Sequence, residues 1–468
     1  MSVIDSQTAP IAAPAPSYRH EFWHGARWLV LALIIAMPLL YKPTLHGIDG
    51  VGHYVWIRSV VFDGDFNVDN EFRDLRLTEE YDYYDITLPT GYRYNQWAVA
   101  PSLLWSPLYI VTHGLMAATG GFQNRFAVDG YSFPYSAAAS LASMLYGFIG
   151  VLLVFDVARR LVKLQVAVLT VLAGWFASPL IFYMLSNPFM SHAVDFLANA
   201  LFVWVWFKSS DKTTKSSWFL RGVCIGLAVA IRLQNLVLFV LPLLDWMVSL
   251  VHNEKPVMRR LLDVLWSGAL LGLGAAIFLL PQLWFWQEIY GSWLVTSYSL
   301  TNEVADIVLD LWRPQLAELA FSNNHGLFVW SPILLFGVVG LIQMFGRRWR
   351  LALFLSANFA LHFYFVSSLS TWHGAGPSFG SRYMIGALPV LLIGLANFGE
   401  WLSRRIRFSV LAVLAASFIV WNLLLIVQYA LQTIPRGGPM DIGAMVTNQF
   451  TVIPQNLARV ISALVSRQ

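Results

Sequence analysis

Residues 263–286 read DVLWSGALLGLGAAIFLLPQLWFW, one aspartate followed by an unbroken uncharged stretch. A helix rises about 1.5 Å per residue, so roughly 20 such residues cross the hydrocarbon core of a bilayer. Stretches of the same character recur at 27–43, 132–157, 165–184, 194–207, 217–231, 234–251, 327–345, 351–368, 384–400 and 408–430. None shows the polar–apolar alternation of a barrel strand. Helices satisfy their backbone groups internally, as lipid demands. The composition agrees: 57% of the 468 residues are hydrophobic, 12% are charged, and there are 20 Trp and 32 Phe. A soluble chain of this size could not hide that much apolar surface. The sequence predicts an all-α polytopic membrane protein with about eleven transmembrane helices.

Other classes fall away. Cys224 is the single cysteine, so an intramolecular disulfide and a CxxC zinc site are both ruled out. The net charge of +4 comes from short basic clusters between apolar runs, a pattern that reports orientation rather than nucleic acid binding. These clusters are Arg159, Arg160 and Lys163; Lys208, Lys212, Lys215 and Arg221; Lys255, Arg259 and Arg260; Arg347, Arg348 and Arg350; and Arg404, Arg405 and Arg407. All fall on one face if the chain starts in the cytoplasm and the segment near 101–119 does not cross. The positive-inside rule then puts the N-terminus in and the C-terminus out. Residues 1–26 read as a cytoplasmic tail without the apolar core of a signal peptide. Residues 27–431 form the membrane domain, and 432–468 an outer tail.

The segment AVAPSLLWSPLYIVTHGLMAATGG (98–121) carries two prolines and a histidine. It is expected to lie along the outer leaflet. Two outer loops are long, 45–131 and 287–326, and ten of the 26 acidic residues lie between Asp49 and Asp85. Loops of that length are functional or disordered, and these are too aromatic for disorder.

Several outer positions could carry chemistry. Asp49, directly after the first span, sits where partial desolvation suits a general base, and equally where an acidic residue favours a helix N-terminus. The run Asp63, Asp65, Asn67, Asp69, Glu71, Asp74 is spaced like a calcium loop but has Val68 where the turn needs glycine, so a solvated acidic loop is expected. SNPFMSHAVDF places His192 and Asp195 on one helix face. AIRLQN puts Arg232 in a break between two spans, and WHGAGPSFGSRYMIGALP puts His373 and Arg382 before the tenth. FSNNHGLFVWSP adds His325. Charges at this depth are costly and point to function, although Arg232 and Arg382 could also snorkel and Asp195 could serve as a helix N-terminal charge.

This arrangement resembles the GT-C glycosyltransferases, in particular bacterial relatives of protein O-mannosyltransferases and lipid A aminoarabinose transferases. The likeness rests on Asp49, Tyr54 and Arg58 followed by Asp63-Gly64-Asp65, on Asp195 after Ala193-Val194, on Arg232, and on SRYMIGALP (381–389). It extends over most of the chain and is looser after Asp195. Gly50 stands where the family has a second acidic residue, and Gln96-Trp97 replaces the family's Lys-Pro pair. Asn95-Gln96 occupies the region that supplies a metal-ligating glutamate in some members, which weighs against a divalent metal. No other cofactor is expected.

The resemblance implies a multi-pass enzyme of the bacterial inner membrane. It would move a hexosyl or pentosyl group from a polyprenyl-phosphate donor to a hydroxyl of an envelope glycan, lipid or protein, with inversion. Asp49 would be the base, and Arg232 and Arg382 would hold the departing phosphate. His53, Tyr54, Arg58, His192, Asp195, His325 and His373 would serve the sugar or acceptor site. A transporter or flippase of lipid-linked sugars, expected to show internal repeats and midplane charges, is the alternative. A non-catalytic scaffold subunit is a third reading.

Overall fold

The computed structural model describes residues 16–77, 85–210, 214–252, 256–295 and 308–456. Most of the expected N-terminal tail, Lys212, Lys255, part of the second outer loop and the last residues of the outer tail lie outside these. The described chain is helical, with two isolated β-bridges, Thr87 with Arg93 and Leu309 with Leu369.

In chain order the principal helices are α1 (Pro16–Leu40), α2 (Ile48–Arg58), α3 (Ala100–Ala118), α4 (Phe133–Leu161) and α5 (Leu164–Phe176). Then come α6 (His192–Ser209), α7 (Lys215–Ile231), α8 (Val240–His252) and α9 (Val257–Tyr290). The chain finishes with α10 (Ile333–Met344), α11 (Trp349–Ser367), α12 (Leu388–Ser403), α13 (Phe408–Ala430) and α14 (Ile442–Phe450). Seven helical stretches among the described residues are long and apolar enough to cross a membrane, counting α8 and α12 with the 3-10 turns that lead into them. The other four expected spans coincide with shorter helices, α5, α6, α7 and α10.

Their ends follow local chemistry. Pro256 caps α9, and Gly291 closes it in the left-handed conformation that glycine adopts without strain (φ 70°). At Arg232 the chain turns extended (φ −147°, ψ 121°), which ends α7 before the 3-10 segment Leu233–Phe239.

In lipid, helices associate by close packing of small residues rather than by the hydrophobic effect. Gly222 and Gly226 on α7 face the Leu271 and Ala275 backbone of α9, while Gly274 returns the contact against Phe219. Gly337 and Gly340 on α10 meet Leu391 and Gly394 on α12 in the same way. Members of four of the basic clusters meet at one end of the bundle. Lys208 Nζ lies 3.6 Å from Asp156, which also pairs with Arg159 and Arg160. Arg348 donates to the Leu161 carbonyl, and Glu400 accepts both the Lys163 amide and Arg404.

Asp49 belongs to the opposite end. There α3 runs beside α2: Ser102 donates to the His53 carbonyl, Tyr54 and Tyr109 both donate to the Gly130 carbonyl, and His113 packs on Phe62. The helix within 98–121 packs against both α2 and α4, with Leu103, Ile110, Val111 and Leu115 exposed along its other side.

The stretch after Leu431 packs back on this end and is no free tail through residue 456. Asn323 donates to the Met440 carbonyl, Ser378 donates through its amide to Arg436, and Gln428 donates to Met445.

Any side chain at Gly340 would meet the Gly394 carbonyl. Gly340→Val should cost about 1–3 kcal/mol by overpacking and lower the unfolding temperature in detergent. Gly272→Ala, where a new methyl meets nothing within 4 Å, should leave it unchanged. Equal melting temperatures for the two variants would contradict this packing.

Candidate active site

Asp49 lies in the first turn of α2, where the helix dipole favours a carboxylate. Its Oδ2 accepts a 2.7 Å ion-pair hydrogen bond from Arg382 Nη1, joining the first loop to the chain just ahead of α12. Arg382 opens the 3-10 helix Arg382–Ala387 and is 6% exposed. Its Nη2 donates to the Gly374 carbonyl at 2.6 Å. Arg232, at the break after α7, donates to Ser191 Oγ at 3.1 Å and reaches Gln234 Oε1 at 3.4 Å. The two guanidiniums share one aromatic ring: their carbons lie 5.0 Å (Arg232) and 5.4 Å (Arg382) from the centre of Tyr383. A cation over such a ring is stabilised by its electron-rich face.

These three charges line a single cavity of about 660 Å3. His53 and His192 share its wall. Burial pushes the His53 imidazole down to about 4, and its Nδ1 lies 2.9 Å from the Ala98 carbonyl. Since a carbonyl only accepts, Nδ1 carries the proton and Nε2 is left as an acceptor. On the bundle side the lining is apolar, with Leu233, Leu236, Leu279 and Leu283; Leu236 is 45% exposed, and the rim residue Leu294 81%.

Other expected site residues do not reach this wall. Tyr54 is fully buried and spent on Gly130. Arg58 pairs with Asp63 and with Glu71 (3.0 Å) and lies over the rings of Phe62 and Tyr131. His325 is buried against Trp330, in the left-handed region (φ 63°), with both ring nitrogens unpartnered among the described residues. His373 is half-buried beside Trp372.

Asp195 lies beneath the cavity. Its Oδ1 accepts from Asn199 Nδ2 (3.0 Å) and Asn235 Nδ2 (2.7 Å). His362 Nε2 on α11 lies 3.1 Å from Asn235 Oδ1. Asn235 also donates to the Ala228 carbonyl near the end of α7. This network braces the break that presents Arg232. Asn199 and His362 went unnoticed in the sequence, though Asp195/Asn199 and Asn358/His362 both carry an i, i+4 polar signal inside an apolar run.

The acidic run is solvated in part, with Asp63, Asp65 and Asp74 exposed, but its carboxylates are also paired within the protein. Asp63 is held by Arg58 and Asn70, Asp65 by Ser59, and Asp69 by Arg73 and Arg93. Glu71 is fully buried. The reason is the basic and aromatic residues around it, which the spacing of the acids alone does not reveal. Asn95 is likewise spent, donating to the Gly52 carbonyl and accepting from the Trp97 amide. Among the described residues no group of three His, Cys, Asp or Glu side chains is placed to share a metal ion.

Residues 134–285 match the family model for dolichyl-phosphate-mannose-protein mannosyltransferase. The chain also superposes on the apo crystal structure of ArnT from Cupriavidus metallidurans, with a TM-score of 0.50 at 16% identity, covering 92% of this chain and 75% of that one. The fold is that of the GT-C glycosyltransferases. ArnT bound to undecaprenyl phosphate gives a TM-score of 0.48 at 16% identity over 92% and 74% of the two chains. The oligosaccharyltransferase AglB from Archaeoglobus fulgidus, in complex with an inhibitory peptide and a dolichol-phosphate, gives 0.43 at 12% over 92% and 54%. No curated protein matches the sequence.

The buried Glu71 generates a pH prediction. Burial pushes its carboxyl from 4.5 up to about 7 against the pull of Arg58. The folded chain then keeps a proton that the unfolded chain releases. The resulting stabilisation is complete below about pH 4.5 and is lost as pH rises through 7. Melting temperature should fall between pH 5 and 8, and Glu71→Gln should flatten that fall. An unchanged slope in the variant would rule out Glu71 as its source.

Proposed function

We propose that this protein is an integral-membrane glycosyltransferase that takes a sugar from a polyprenyl-phosphate donor. The observation that carries the reading is the meeting of Asp49, Arg232 and Arg382 on one cavity whose bundle side is apolar. Two guanidiniums suit a phosphate, and the exposed leucine rim gives a prenyl chain a path to the bilayer. The GT-C fold supports the same chemistry by analogy.

In the proposed reaction the acceptor hydroxyl gives its proton to the Asp49 carboxylate while its oxygen attacks the anomeric carbon. The bond from that carbon to the donor phosphate breaks, and the electron pair leaves with the phosphate. Arg232 and Arg382 neutralise the charge that develops, a contribution of several kcal/mol in a water-poor site. Attack opposite the leaving phosphate inverts the anomeric centre. The Asp49–Arg382 pair fits this sequence: an arriving phosphate competes for Arg382 and frees the carboxylate for the hydroxyl. The site faces the periplasm if the basic end of the bundle lies in the cytoplasm, and the acceptor belongs to the envelope.

Purified protein in nanodiscs, supplied with a lipid-linked sugar pool and envelope acceptors, tests the roles. Asp49→Asn should lower kcat about 10²–10⁴-fold, the usual worth of a general base, with donor binding retained. Arg232→Ala and Arg382→Ala should weaken donor binding and slow transfer. Full transfer by Asp49→Asn would end the base assignment. Mass spectrometry of envelope glycans and glycoproteins with and without the protein should reveal the missing sugar and its acceptor together.

A further inference from the structure

The cavity that holds the arginines has further lining that the phosphate chemistry leaves unused. This wall is built from the loop Tyr94–Ala98 and the outer half of α9, and its central side chains are Gln96, Trp97, Gln282 and Trp286. Resting on the reading above, we propose that this wall is the subsite for the transferred sugar, and that the sugar is a neutral one.

The loop is built to present its ring. The Trp97 indole fills the space where a side chain on Gly52 would stand, so only glycine at 52 lets it lie flat on α2. Asn95 donates to the Gly52 carbonyl, and Trp56 Nε1 donates to the Trp97 carbonyl at 2.9 Å. From α9, Tyr290 donates to the Asn95 carbonyl at 2.6 Å. The flat indole of Trp286, which lines the cavity beside this loop, suits the C–H face of a pyranose ring.

Hydrogen-bonding groups are interleaved with the rings. Gln282 is 7% exposed, and its Oε1 has no partner among the described residues. A buried acceptor left unpaired costs about 1–3 kcal/mol, a cost that a sugar hydroxyl would relieve. The Gln96 amide and the Trp286 indole N–H also have no protein partner among the described residues, and both line the cavity. His53 Nε2 adds an acceptor.

Charge decides the class of sugar. Among the described lining residues the charged groups are Asp49, Arg232 and Arg382, with Asp49 already paired to Arg382. The wall itself offers neither a carboxylate for an amino sugar nor a cation for a uronic acid. A charged substituent turned to it would be desolvated without a partner.

Full-length protein in phosphatidylcholine nanodiscs, measured by native mass spectrometry, tests this with four probes: farnesyl phosphate and its mannose, 4-amino-4-deoxyarabinose and glucuronate esters. The mannose ester should bind on the order of tenfold tighter than bare farnesyl phosphate, about the worth of one stacked ring, and the charged esters should gain nothing. In Trp286→Leu, Gln282→Leu and Gly52→Ala the ratio of mannose ester to bare phosphate should fall at least about threefold, with Trp286→Phe restoring it. If every ester binds like the bare phosphate, the subsite is refuted and the arginine reading stands. Tightest binding of a charged ester would overturn the neutral class. If bare farnesyl phosphate binds and Arg232→Ala and Arg382→Ala leave its affinity unchanged, the reading beneath this inference falls as well.

Discussion

The ion pair between Asp49 and Arg382 is the constraint on which the rest of this end depends. It joins residues 333 positions apart and ties the start of α2 to the bundle. A buried guanidinium is tolerated only when its protons are met. Arg382 meets that condition at both Nη atoms, with the Asp49 carboxylate and the Gly374 carbonyl, and lies near the ring of Tyr383, while its Nε has no partner among the described residues. The same contacts leave the arginine at the cavity wall rather than drawing it into the bundle. Since Tyr383 also takes Arg232 on its ring, one aromatic side chain sets the spacing of both cations.

Beneath this surface the bundle holds its breaks open with polar groups. A helix that stops inside a membrane exposes carbonyls that lipid cannot satisfy. Where α7 stops, Asn235 donates to Ala228, and Asp195 and His362 hold Asn235 in turn. Gly386 belongs to the same arrangement: a side chain there would crowd Asp195, Asn199 and Asn235. The network therefore links the positions of Arg232 and the turn carrying Arg382 without reaching the cavity itself. Asp195 looked like a site residue in the sequence because a charge within an apolar run must have a partner. Its partners turned out to be internal.

Hydropathy made the helical frame legible, since a run such as 263–286 has no alternative fold in lipid. The basic clusters were equally legible, and Arg159, Arg160, Lys163, Lys208, Arg348 and Arg404 from four of them meet at one end. Asp49, Arg232 and Arg382 stood out as charges at apolar boundaries, and the structure brings all three to one cavity. What could not be read was set by pairing across long separations. Glu71 is buried because Arg58 and the aromatic loop close around it. The stretch after Leu431 docks on Asn323 and Ser378, contacts that leave no periodic trace. Gln282 and Trp286 lie inside an apolar run whose pattern gives no sign that they line the same cavity as the arginines.

The resting pair also bears on the order of events under the proposed mechanism. While Arg382 holds Asp49, the carboxylate is engaged and one cation is withheld from the phosphate. A donor phosphate competes for the same guanidinium, and its two or more oxygens can engage both arginines, which the single Asp49 carboxylate does not do here. Exchange of partners therefore assembles the phosphate site and releases the base in one step. An acceptor hydroxyl arriving first meets a carboxylate already committed to Arg382. Donor before acceptor is the order this geometry favours, and it also keeps the base from activating water until a donor is in place.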